Sequence, residues 1–172
     1  MVEKQLERAT FGCGCFWCVE ALFRSRKGVV KVISGYAGGS DVTSKLKDIA
    51  SGKHGDAEVV DMWFDPTVVT YNELLKVFFA VHNPFEIKIG HALKYRSIIL
   101  YHNETQKEEA EKETAFQKEL SKTETLTTEL KKFTLLHEAK EENQNFYEKN
   151  PTNTYCELNI RPKLLKLSKD LP

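Results

Sequence analysis

The 172-residue chain predicts an α+β fold of the ferredoxin-like, split β-α-β kind. Such a fold is a two-layer sandwich with two helices on one face of a four-stranded sheet. An added surface helix and an irregular C-terminal tail complete the expectation. Three observations carry it. Residues 7–12, 29–36, 57–64 and 95–101 are short, β-branched or alternating runs. Residues 16–26 and 71–79 place apolar side chains at helical spacing. The two kinds follow one another as β-α-β-β-α-β.

Each element has its own signal. Residues 7–12 form a short strand that enters a cysteine cluster. The helix from Phe16 to Arg26 sets Val19, Leu22 and Phe23 on one face, and Lys27-Gly28 ends it. Val29 to Tyr36 alternates as a strand, and Ala37-Gly38-Gly39-Ser40 is a loop. A weak helix is expected from Ser44 to Ala50. Ala57 to Phe64 is the next strand, stopped by Asp65-Pro66. Thr70 is the expected N-cap of the helix from Tyr71 to Phe79, with Glu73 as its capping-box partner. His82-Asn83-Pro84 breaks that helix, and Tyr95 to Tyr101 is a strand. Glu104 to Leu120 is the charged surface helix. A strand near Phe133–Leu136 and a short helix near Lys140–Lys149 are expected, and the tail beyond Pro151 reads as irregular.

Composition bounds the function. Lys+Arg and Asp+Glu stand at 25 each, which gives no electrostatic reason to expect nucleic acid or an anionic membrane. Residues 1–8 contain no apolar signal core, and no stretch approaches a membrane span. The expectation is a single domain over 1–172, a cytoplasmic monomer whose thiols stay reduced and are used for catalysis or metal binding rather than bracing.

The chemistry concentrates at Gly12-Cys13-Gly14-Cys15-Phe16-Trp17-Cys18-Val19-Glu20, a strand-to-helix junction with three cysteines. A cysteine at the helix start meets free N–H groups and the positive end of the helix dipole, which favour the thiolate. Cys15 is nearest that position and is the expected nucleophile; Cys13 lies at the strand end. Cys18 is either the second thiol of a C-x-x-C pair or a small helix-face residue. Phe16 and Trp17 are either core or the floor of a pocket. Cys156, on the irregular tail, is either a stray thiol or one able to swing toward a sulfenic acid. Glu58 opens an apolar strand, where desolvation raises a carboxyl's pKa enough for proton donation; a solvent-facing strand residue is the alternative. Tyr36 and Tyr95 offer hydroxyls at strand ends or fill the core. No second C-x-x-C or H-x3–5-H unit accompanies the cysteines, so no metal is expected.

At these residues the chain resembles the A-type peptide methionine sulfoxide reductases, from about Ala9 to Leu165. Gly14-Cys15-Phe16-Trp17-Cys18-Val19-Glu20 is similar to the family's G-C-F-W-[GC]-x-E. Gly35-Tyr36-Ala37-Gly38-Gly39, Ser51-Gly52 with Gly55-Asp56-Ala57-Glu58-Val59, His82-Asn83-Pro84, Tyr95-Arg96-Ser97 and Tyr155-Cys156 follow in the family's order. The resemblance implies thiol-dependent reduction of methionine S-sulfoxide, free or in peptides. Cys15 would attack sulfur, Glu58 protonate oxygen, and Phe16 and Trp17 hold the methyl group. Cys156 or Cys18 would close a disulfide that thioredoxin reduces, with no bound cofactor. The chain also departs from the family. Leu46 stands where a tyrosine is usual, Asp56 where a histidine is usual, and Gly90 where the loop carries an aspartate. The loop 85–94 is shortened, leaving His91, Lys88 and Asp56 as polar groups near the gaps. These departures imply weakened activity, or one of two alternatives: a Cys15/Cys18 thiol-disulfide protein, or a non-catalytic binder of oxidised methionine.

Overall fold

The computed structural model describes residues 5–39, 49–52, 55–122 and 125–170. The elements are β1 (Glu7–Gly12), α1 (Phe16–Arg24), β2 (Val29–Ala37), β3 (Ala57–Phe64), α2 (Tyr71–Ala80), β4 (Ile98–Tyr101) and α3 (Glu104–Ser121). They continue with β5 (Glu129–Lys132), β6 (His137–Glu138), α4 (Phe146–Lys149) and α5 (Arg161–Asp170). The sheet has six strands in the order β5-β4-β1-β3-β2-β6. The inner four, β4-β1-β3-β2, are antiparallel, as the split β-α-β pattern requires. The order anticipated from sequence is therefore present, widened by an edge strand on each side. β5 joins β4 in parallel, and β6 joins β2 antiparallel.

Strand alternation sorts the two faces. Ala9 and Phe11 of β1, Val60, Met62 and Phe64 of β3, Val32 of β2 and Ile99 of β4 point to one side. There they meet Val19, Leu22 and Phe23 of α1 and Leu74, Leu75 and Phe78 of α2. Phe11 is the hub: its ring centroid lies 5.6 Å from Phe23, 5.8 Å from Tyr71 and 5.2 Å from Phe78. The opposite face carries Ala37, Ala57, Val59, Ile98 and Leu100 under Phe133 and Leu136. The Thr70–Glu73 capping box opens α2 as expected: Glu73 N–H donates to Thr70 Oγ1 at 3.2 Å, and Thr70 N–H donates to Glu73 Oε2 at 2.7 Å.

Four local expectations need correction. The strand placed at 133–136 lies instead at 129–132. There β5 hydrogen-bonds along β4, while Phe133 and Leu136 turn down onto the second sheet face. The helix expected over 140–149 is two short turns, interrupted by Asn145 in the left-handed region at φ 51°. Tyr95 does not open a strand. It ends a 3-10 helix, Gly90–Tyr95, and β4 begins at Ile98. The C-terminal tail is helical, with a π-helical turn at Cys156–Ile160 leading into α5. Ile160, Leu164 and Leu167 recur at helical spacing and pack inward. The weak helix at 44–50, apart from Ile49 and Ala50, and Leu46 lie outside the described residues. Among the described residues, no helix is long and apolar enough to cross a membrane.

Phe11 has no exposed surface and touches both helices. Phe11→Ala is expected to lower stability by about 3–5 kcal/mol. Urea unfolding should show a lower midpoint at unchanged m-value; a shift under about 1 kcal/mol would contradict this packing.

Candidate active site

The nucleophile candidate sits where β1 hands over to α1. Gly14, at φ +119°, turns the chain through a conformation that side chains rarely adopt. Cys15 is then the N-cap of α1, with extended backbone (φ −60°, ψ 124°). Its carbonyl accepts from Cys18 N–H at 3.1 Å and Val19 N–H at 3.2 Å. Its side chain makes no cap hydrogen bond to the helix backbone of the kind an oxygen cap would provide. Gly12, just upstream, brings β3 close: a Cβ there would lie 2.6 Å from the Glu58 carbonyl oxygen.

That closeness delivers Glu58. Its side chain is buried, and Oε2 accepts the Phe16 N–H at 3.0 Å. Oε1 stands 3.8 Å from Lys94 Nζ. Burial pushes the carboxyl up to about 7, against the Phe16 hydrogen bond and the Lys94 charge, which both pull it down. The alternative of a solvent-facing strand residue is therefore excluded. Tyr36, on the neighbouring strand, is buried and raised to about 12, first by burial and then by the Glu58 charge. Its ring packs 5.4 Å from Phe16.

These groups line a cleft of about 560 Å³ with Gly14, Cys15, Phe16, Trp17, Lys88, Lys94, Tyr95, Asn143 and Tyr155. Trp17 is clamped: it stacks on Phe146 at 3.7 Å and 5°, and its Nε1–H donates to Asn143 Oδ1 at 3.1 Å. Phe16 and Trp17 are thus both core and cleft wall. Asn143 and Phe146 come from a segment tied down by Glu20, whose buried carboxylate accepts from Asn145 N–H at 2.9 Å and Ser34 Oγ at 3.0 Å. Gln144 adds two bonds across β2, accepting from Ser34 N–H at 2.8 Å and donating to Ser34 O at 2.7 Å.

The thiols fall into two groups. Cys13 is buried and pushed up to about 12, chiefly by desolvation. Cys15 and Cys18 lie one helical turn apart in the same cluster, the Cys18 N–H donating to the Cys15 carbonyl at 3.1 Å, and each thiol shifts the other. The Cys15 thiol, then the Tyr155 hydroxyl 3.5 Å away, hold Cys18 down to about 7 against burial. The same contact with Cys18, with burial, holds Cys15 above the ordinary thiol value. Of the two, Cys15 is the member that faces the cleft. Cys156 does not ride on a loose tail. It is 0% exposed, packed with Cys18, Ala21 and Ile160, and burial raises its thiol. All four cysteines are free thiols.

Of the eight site residues read from sequence, Cys15, Phe16, Trp17, Tyr36, Glu58 and Tyr95 line the cleft, while Cys18 and Cys156 lie together in a buried cluster against which Cys15 packs. Tyr155, Asn143 and Lys94 were missed. Their only sequence signals were adjacency to Cys156 and Tyr95 and, for Asn143, none. Of the polar groups near the gaps, Lys88 lines the cleft and His91 does not. Asp56 is turned away to accept the Gly39 N–H at 3.0 Å.

Glu58 binds its proton more tightly when folded, since its pKa rises from 4.5 to about 7. Its contribution to stability is complete below the unfolded value and is lost as pH rises through 7. Glu58→Gln is therefore expected to exceed the parent by about 1–3 kcal/mol at about pH 8 and to match it near pH 4.5. Urea unfolding at both pH values checks this, and a difference that does not change with pH would contradict it.

The chain matches the family model for peptide methionine sulfoxide reductase over residues 7–171. The peptide methionine sulfoxide reductase MsrA of Sulfolobus acidocaldarius is 43% identical over 171 residues, covering 97% of this chain and 96% of that protein. Among solved structures, reduced Mxr1 from Saccharomyces cerevisiae superposes with a TM-score of 0.78 at 27% identity, covering 90% of this chain and 91% of that one. The same yeast protein in complex with Trx2 shares the fold at a TM-score of 0.61 and 22% identity, over 84% and 86% of the two chains. With its cysteine-capped helix, buried acid and aromatic cleft, the chain belongs to the peptide methionine sulfoxide reductase family.

Proposed function

We propose that the chain reduces methionine S-sulfoxide with Cys15 as nucleophile and Glu58 as general acid. The observation that carries this is the Glu58 carboxyl, bonded to the backbone one residue after Cys15 and poised near 7 in the same cleft. The Cys15 thiolate attacks the sulfoxide sulfur, and Glu58 delivers its proton to the oxygen. The bond from that oxygen to the substrate sulfur breaks, and the hydroxyl ends on Cys15 as a sulfenic acid. The new bond from Cys15 sulfur to the substrate sulfur then breaks, and methionine leaves with its electron pair. Thiolate, proton and sulfoxide thus become sulfenic acid and thioether. Phe16 and Trp17 receive the methyl group, and Tyr36 and Tyr95 turn hydroxyl-bearing rings to the oxygen side.

Cys18 is the first resolving thiol on this reading, because it sits one helical turn from Cys15 with its N–H on the Cys15 carbonyl, while Cys156 is fixed inside a helical turn. Its sulfur displaces hydroxide from the sulfenic acid, giving a Cys15–Cys18 disulfide and water once a proton is added. A thioredoxin-type dithiol then returns both thiols; the fold's occurrence in a complex with Trx2 supports that class of reductant.

Turnover of an N-blocked methionine S-sulfoxide with dithiothreitol tests the reaction. Cys15→Ser is expected to abolish product. Glu58→Gln is expected to slow turnover by about 100-fold or more. In the parent, kcat/KM should fall as pH rises through about 7, because the acid loses its proton. A folded parent that yields no methionine would contradict the reading. Peptide mapping after one turnover without reductant checks the resolving thiol: Cys15–Cys18 is expected, and Cys15–Cys156 as the first product would overturn that assignment.

A further inference from the structure

Lys94 extends the oxygen side of the cleft. We propose that its ammonium is a catalytic group that, together with Glu58, holds the sulfoxide oxygen while the bond from sulfur to oxygen breaks. The inference rests on the sulfoxide-reductase reading above.

Four observations carry it. Glu58 uses Oε2 for the Phe16 N–H, which leaves Oε1 as the oxygen open to a ligand. Lys94 Nζ stands 3.8 Å from that Oε1, about 1 Å beyond hydrogen-bond length. Two groups so spaced can both reach a single oxygen placed between them at about 2.8 Å. The ammonium is held in place. Its stem passes against Gly52, where a Cβ would lie 3.4 Å from Lys94 Cβ, and Nζ sits 4.9 Å from the Tyr95 ring centroid. The side chain is only 24% exposed, so it is folded into the cleft instead of extending to water.

The chemistry fits a cation at this point. A sulfoxide oxygen is already a strong acceptor, and it gains negative charge as the thiolate adds to sulfur. A fixed ammonium stabilises that charge most in the transition state, as other preorganised donors do. Glu58, not Lys94, supplies the proton that ends on the oxygen, so the overall balance is unchanged. Among the described residues, Glu58 interacts with the Phe16 N–H, the Cys15 thiol, the Tyr36 hydroxyl and Lys94. Lys88 lines the same cleft, but Lys94 is the cation with a recorded approach to the Glu58 carboxylate.

A role through Glu58 alone is separable from direct contact. If Lys94 only tuned the acid, its loss would be silent where Glu58 is protonated. Direct contact predicts a defect at every pH. Lys94→Met and Lys94→Arg are to be assayed with N-acetylmethionine S-sulfoxide methylamide from about pH 5.5 to about 8.5. Lys94→Met is expected to lose about 100-fold in kcat across the range, and Lys94→Arg to recover most of it. In a Cys15→Ser background, Lys94→Met should weaken binding of the sulfoxide and leave binding of the matching thioether unchanged. Activity of Lys94→Met within about threefold of the parent, or a defect that vanishes at acid pH, would overturn the inference. An inactive parent would instead overturn the reductase reading, and the binding comparison would still decide the role of Lys94.

Discussion

One hydrogen bond organises this molecule: the buried Phe16 N–H to Glu58 Oε2, at 3.0 Å. It satisfies one of the N–H groups that α1 leaves open at its start, and it gives a buried carboxyl the partner that burial demands. It also joins the helix that starts behind Cys15 to the strand that carries Glu58, across 42 residues of chain. Because one carboxyl oxygen is committed to the backbone, the other is aimed into the cleft. Burial then keeps the acid protonated far above the usual carboxylate range. Gly12 is the condition for this contact, since a larger residue would strike the Glu58 backbone.

The second organising feature is the C-terminal half folded over that junction. Glu20 and Gln144 pin residues 144–145 to α1 and β2, and this places Asn143 and Phe146 on Trp17. The same wrap seals Cys156 in an apolar cluster and sets the Tyr155 hydroxyl against Cys18. In this reduced arrangement Cys15 packs against a cluster that holds both Cys18 and Cys156. Cys156 itself is held in the π-helical turn Cys156–Ile160, and such turns interrupt a regular helical ladder.

The sequence was readable where local rules govern. The Thr70–Glu73 capping box, the alternation of β2 and β3 and the helical spacing of Val19, Leu22 and Phe23 all mark their elements without tertiary help. Cys15, Phe16, Trp17 and Cys18 declared the site because they lie side by side. What escaped depends on distance. The bond from Trp17 to Asn143 spans 126 residues, and that from Cys18 to Tyr155 spans 137. Lys94 looked like a loop lysine until the 3-10 turn placed it beside Glu58. The α5 helix was overlooked although Ile160, Leu164 and Leu167 carry its period, because the polar residues around them read as a tail.

The proposed chemistry depends on the state of one carboxyl. Carbon-13 NMR of the protein labelled at the glutamate side chain, with Glu58 assigned by its absence in Glu58→Gln, measures that state directly in the reduced form. The account predicts a titration near 7. A Glu58 resonance that titrates at the ordinary 4.5 would contradict it, since the group would then hold no proton to give at neutral pH.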